Sequence, residues 1–146
     1  MRVRRLALVL VLVLVAGSLA ACGSGKKSAS GPSAQDEIKT AYTKFFSSKT
    51  SLSDRVALLQ DGSKFKTVIQ GFASNPLAKN VKVTVSSVTL QGADNAKVVY
   101  VVSLGSSSLP KQNGTAVREG GTWKVGFASL CRLVALQGST PSACKS

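Results

Sequence analysis

Few side chains in this sequence are suited to chemistry. There is no histidine, and the reactive or ionisable groups of interest reduce to three cysteines (Cys22, Cys131, Cys144), two tyrosines and six acids. General acid–base catalysis near neutral pH needs a histidine, or a carboxylate whose pKa burial has raised. The acids fall instead at helix starts (Asp36, Glu37, Asp54), at a helix end (Asp61) and in turns (Asp94, Glu119). There a carboxylate bonds backbone N–H groups or water, so no residue is assigned a catalytic role. A structural zinc takes four Cys or His ligands, and the chain offers too few. Neither a metal nor any other cofactor is expected. What remains is the chemistry of thiols.

Cys22 stands at the end of an export-type leader. Arg2, Arg4 and Arg5 precede an uncharged run from Leu6 to Ala21, 16 residues long, where a membrane-spanning helix needs about 20. The run breaks at Gly17-Ser18 and ends in the small residues Ala20-Ala21, as a cleavable signal does. Leu19-Ala20-Ala21-Cys22, followed by Gly23, resembles the lipobox of bacterial lipoproteins. The resemblance implies a diacylglyceryl group on the Cys22 thiol and cleavage that leaves Cys22 as the first residue. Residues 1–21 are then a signal peptide, and the protein is expected on the extracytoplasmic face of the cell membrane, lipid-anchored and in part released. Gly23 to Ser33 is rich in Gly and Ser and completes a flexible tether over 22–33. Residues 34–146 form one domain, long enough for a single core.

The chain carries 19 Lys and Arg against 6 Asp and Glu. The basic residues are scattered, without an arginine-rich stripe interleaved with aromatics, so nucleic acid is not an expected partner. Anionic lipids or cell-wall polymers are the expected counter-charges. Export also places Cys131 and Cys144 in an oxidising compartment, where such a pair forms a disulfide.

Hydrophobic periodicity predicts the elements that must position these groups. Ser33 with Asp36 reads as a capping box, and Ile38, Ala41, Tyr42, Phe45 and Phe46 recur at helical spacing. Ser53 with Asp54 predicts the start of a shorter helix that Asp61-Gly62 stops. Ser63 is placed to cap a third helix, whose Phe65, Val68, Ile69 and Phe72 share a face before Asn75-Pro76 closes it. Period-2 alternation follows in Val81, Val83 and Val85, and resumes out of phase at Val88 and Leu90. A phase shift of that kind predicts a β-bulge that bends the sheet. Lys97 to Leu104 is apolar on both faces and reads as a central strand. Thr115 to Glu119, Gly120-Gly121 and Thr122 to Phe127 read as a hairpin with Trp123, Val125 and Phe127 on one face. Ser106-Ser107-Ser108 reads as loop, and Leu130 to Leu136 as a last strand or short helix.

Helices followed by an antiparallel meander give an α+β class, N-terminal helices packed on a curved antiparallel β-sheet. The order resembles the cystatin-like and nuclear-transport-factor-2-like cone. Within that class, Asp54-Arg55-Val56-Ala57-Leu58-Leu59-Gln60-Asp61-Gly62, the valine strand before Ala96, and Gly121-Thr122-Trp123-Lys124-Val125 leading into Ser129-Leu130-Cys131 are similar to the low-molecular-weight secreted antigen family of mycobacteria and related actinobacteria. The likeness implies a cone that could enclose an apolar pocket, with Tyr42, Phe46, Phe72, Tyr100 and Trp123 as its candidate lining. Enzymes of the cone class, isomerases and hydratases among them, rely on a pocket carboxylate or histidine. The expected function is therefore a membrane-anchored, non-enzymatic binding or accessory module of the cell envelope, for a small apolar ligand or an envelope protein. A cone-fold enzyme and a purely structural interaction domain are the alternatives.

Overall fold

The computed structural model describes residues 31–138 and 140–145. The expected signal peptide, Cys22 and the expected tether as far as Ser30 lie outside the described residues. Among the described residues no helix is long and apolar enough to cross a membrane.

Helix α1 (Ala34–Phe46) begins where the sequence places it. The Ser33 hydroxyl accepts from the Asp36 N–H at 3.2 Å and donates to the Asp36 carboxylate at 2.7 Å. Helix α2 (Leu52–Leu58) repeats the device two residues earlier than expected. Ser51, and not Ser53, is its cap, accepting from the Asp54 N–H at 3.1 Å and donating to that carboxylate at 2.7 Å. Two hydroxyls lie within reach of Asp54 in sequence, and only the one three residues back has the cap geometry. Asp61 ends the segment in the left-handed region (φ 50°). A single 3-10 turn (Gly62–Phe65) then runs directly into α3 (Lys66–Ser74), so Ser63 caps nothing. The Asn75 side chain accepts from the Leu77 N–H at 2.9 Å and starts a second 3-10 turn, Pro76–Asn80.

Strands β1 (Val81–Leu90), β2 (Asn95–Leu104), β4 (Gln112–Glu119) and β5 (Thr122–Val125) form an antiparallel sheet in that order, strongly curled into a half-barrel. Register slips between Val85 and Ser87, the bulge that the phase shift predicts. Gly120 and Gly121 both take positive φ (57° and 81°), as a two-residue hairpin loop requires. The serine run is not loop throughout: Ser107–Ser108 is the short strand β3, paired with β2. The β4–β5 hairpin is also shorter than its apolar pattern suggests. Phe127 leaves the sheet and opens α4 (Phe127–Ala135), where it stacks on Phe65 with ring centroids 5.2 Å apart.

One face of the sheet is buried. Ala96, Val98, Tyr100 and Val102 of β2 point to the same side, against Ile38, Tyr42, Phe45 and Phe46 of α1 and Leu130, Leu133 and Val134 of α4. Their neighbours Lys97, Val99 and Val101 point outward and stay exposed or half-buried. β2 is central by pairing, between β1 and β4, but its second face is only half covered. Arg55 is buried as a staple: Nη2 donates to the Ser47 carbonyl at 2.6 Å and Nε to the Thr50 carbonyl at 3.2 Å. These carbonyls follow the C-terminus of α1, the dipole end that favours a cation.

Candidate functional site

Two parts of the interior could serve a ligand, and the chain builds them differently. The first is the middle of the cone, where the sequence places its aromatic set. β5 stops at Val125, which leaves Thr115 at a free edge of β4. Three groups replace the missing strand. The Gly126 N–H and the Tyr42 hydroxyl both donate to the Thr115 carbonyl, each at 2.7 Å, and the Thr115 N–H donates to Ser129 Oγ at 3.2 Å. Tyr42 and Ser129 hydroxyls lie 2.9 Å apart. Next to this knot, a Cβ on Gly114 would lie 2.6 Å from Ser129 Oγ and 2.8 Å from Tyr100 Cε1. Only glycine leaves room there.

Aromatic rings fill the rest. Tyr42 and Tyr100 have centroids 5.2 Å apart, Phe46 stacks on Tyr100 at 6.2 Å, and Phe72 meets Phe46 edge-on at 6.2 Å. Trp123 is buried on β5, paired in register with Arg118. Four of the five candidate pocket residues are thus brought together as one packed column. Burial pushes the Tyr42 hydroxyl well above its usual range, the bonds to Ser129 and Thr115 notwithstanding. Burial likewise pushes Tyr100 up to about 12, against a downward pull from the Arg132 charge. Tyr100 Oη has no hydrogen-bond partner among the described residues. Besides the two tyrosines, the buried polar or charged side chains among the described residues are Arg55 and Ser129. The acids lie exposed or half-buried, and Glu119 is ion-paired with Lys124 at 3.0 Å.

The second part is the mouth of the cone. The end of α3, the turn Pro76–Asn80, the start of β1, the end of β2 and the last turn of α4 converge there around a groove of about 320 Å³. Its walls are apolar: Phe72, Val81, Val102, Leu104, Leu109 and Leu133. Leu77 and Leu136 stand on its rim, 61% and 59% exposed. Asn75 and Gln137 are the polar side chains of its lining. Pockets that hold small molecules have this make-up, in a range of about 300–1,000 Å³. Sequence reasoning assigns only Phe72 to such a role. Leu77 and Leu136 carry a faint signal, as apolar residues where turns begin. Nothing local joins them to Leu104 or Leu109.

Cys131 and Cys144 form a disulfide, Cα atoms 5.5 Å apart. The bridge holds the turn Ser142–Cys144 against α4, the helix that supplies Leu133 and Leu136 to the groove. Cys22, the residue expected to carry a lipid, lies outside the described residues.

A family model described as the low molecular weight antigen MTB12, C-terminal domain, matches residues 31–141. The chain belongs to that antigen family. The match bears out the resemblance carried by residues 54–62 and 121–131, and it includes Cys131 while stopping short of Cys144. No curated protein matches. Among solved structures, a Campylobacter jejuni protein named as a candidate NTF2-like transpeptidase is 15% identical, with 60% of this chain and 92% of that chain covered at a TM-score of 0.43.

Proposed function

We propose that this antigen-family chain is a non-enzymatic binding or accessory module of the cell envelope, held to the outer face of the membrane by a lipid on Cys22. It seats an alkyl chain or similar small apolar ligand in the mouth groove. The observation that carries the reading is the contrast in lining. The aromatic column leaves its space filled, whereas the mouth exposes two leucines around an apolar recess. Exposed Leu77 and Leu136 would each remove apolar area from water on covering an occupant, at about 25 cal/mol per Å². A cone-class acid–base enzyme would need a carboxylate or histidine facing a tyrosine, and the six acids sit at caps and turns.

The anchor and the ligand are tested together. Native mass spectrometry of the protein extracted from its own membrane is expected to show acyl mass on Cys22 and a second, dissociable apolar adduct. Cys22→Ala should abolish the covalent mass and leave the adduct. Leu133→Glu should abolish the adduct and leave the covalent mass. Repeated recovery without any adduct, and no change in stability on adding envelope lipids, would remove the ligand from the proposal. An unmodified Cys22 thiol in the mature protein would remove the anchor.

A further inference from the structure

The geometry points to a second binding site, on the outer face of the sheet, for the phosphate of an anionic lipid headgroup. It shares no residue with the mouth groove, so either site can fail without the other.

The floor of the site is a register row. Thr89 on β1, Lys97 on β2 and Thr115 on β4 stand side by side across three strands, and directly paired residues have Cβ atoms about 4.5–5.5 Å apart. Asn113, paired with Val99, occupies the next row. α4 passes the end of β5 and raises a wall along this shelf with Arg132, and the space enclosed is about 460 Å³. Lys97 and Arg132 therefore face one concavity, ringed by two threonine hydroxyls and a carboxamide.

Among the described residues, both cations are free of carboxylates. The ion pairs there join Lys39 to Asp36, Lys64 to Asp61 and Lys124 to Glu119. Two like charges on one concavity repel each other, and an anion between them reverses the sign of that interaction. Arg132 supplies a planar fork of donors suited to phosphate oxygens, and Lys97 a compact ammonium. The hydroxyls and the carboxamide can bond the remaining oxygens. The wall beneath is one backbone thick at Gly114, whose inner side lies against Ser129 and Tyr100.

The spacing favours a single headgroup over an extended polymer. On this face Lys124, in register with Val117, is already ion-paired with Glu119 at 3.0 Å. The outward lysine further along, Lys82, pairs with Ser103, six residues of strand from Lys97, roughly 20 Å. Val99 and Val101 fill the interval without charge. A polymer of repeating anions needs a run of cations, and this face provides one cluster.

The test follows backbone amide shifts of the full chain in neutral-detergent micelles. Three probes are added in turn: sn-glycerol 3-phosphate, inorganic phosphate, and phosphatidylglycerol mixed into the micelles. Saturable shifts at Thr89, Lys97, Asn113 and Gly114 are expected, at the lowest concentration for phosphatidylglycerol. The pair Lys97→Gln/Arg132→Gln should weaken that binding about thirtyfold, as two basic residues facing an anionic headgroup imply. Lys44→Gln/Lys49→Gln, the same loss of charge on α1 and the loop after it, should leave it within about twofold. All four side chains are solvent-accessible, and an unchanged urea midpoint confirms that each variant folds. Equal weakening by both pairs would reduce the effect to diffuse charge and overturn the site. Binding of inorganic phosphate as tight as that of phosphatidylglycerol would overturn the headgroup assignment, and so would the absence of saturable shifts.

Discussion

The middle of the cone and its mouth are both apolar, aromatic in the middle and mostly aliphatic at the mouth, yet they do opposite work. In the middle, Tyr42, Phe46 and Tyr100 are at most 1% exposed, and the free edge of β4 is tied off by Tyr42, Gly126 and Ser129. At the mouth, Leu77 and Leu136 stand in solvent beside a groove that Phe72 and Leu133 floor. Every ring in the middle meets another ring. The leucines of the rim meet water. Aromatic content alone therefore does not mark a pocket in this fold; what marks one is apolar area left without a neighbour.

Substitution at Gly114 is the hardest test of that contrast. Gly114→Val drives a branched side chain into Tyr42, Ser129 and Tyr100, and overpacking plus lost hydrogen bonds should cost about 4 kcal/mol. Urea unfolding reads the effect, and a loss below about 1 kcal/mol would show that the middle is loosely packed. Next in size is the disulfide that holds the Ser142–Cys144 turn against α4. Removing it with Cys131→Ser/Cys144→Ser should cost about 3 kcal/mol by the chain-entropy account, measured by thermal unfolding under oxidising conditions.

The two tyrosines sharpen the comparison within the middle. Tyr42→Phe removes a hydroxyl bonded to Thr115 and Ser129 and should cost about 1–2 kcal/mol. Tyr100→Phe removes a hydroxyl without a partner among the described residues, so it should be neutral or stabilising. Its signature lies in alkali. Burial raises the folded Tyr100 hydroxyl from 10.0 to about 12, so its proton is held more tightly folded than unfolded. That stability is fully present below pH 10 and is lost as pH rises through the window to about 12. Tyr100→Phe should flatten that part of the stability–pH curve, and an unchanged curve would sink the assignment.

The smallest stability effect belongs to the mouth. Leu77→Ala/Leu136→Ala truncates two exposed side chains, and a change within about 0.5 kcal/mol per site is expected in urea unfolding. The same pair should lose most of the apolar adduct in native mass spectrometry. Unchanged adduct occupancy would break the distinction between the two regions.

Part of this architecture is legible in the amino-acid sequence alone. The Ser33 and Asp36 pair, the bulge at Val85/Ser87, the Gly120-Gly121 turn and the partnership of Cys131 with Cys144 are all readable there, because each rests on neighbours in sequence or on simple pairing. The α2 cap is misplaced on Ser53 because two hydroxyls compete within one turn. Phe127 reads as strand because the apolar run continues past the last paired residue.

The candidate pocket is legible only at Phe72. Whether an aromatic residue fills a space or lines one depends on what arrives opposite it. Tyr100 is met by Tyr42 from 58 residues away, and Leu104 lines one groove with Leu136 from 32 residues away. By itself the sequence determined the local periods, caps and turns, and through them the α+β order. Only the tertiary structure decided which apolar residues close on one another and which leave a groove, because contact across the cone is a property of the curled sheet and of no segment in it.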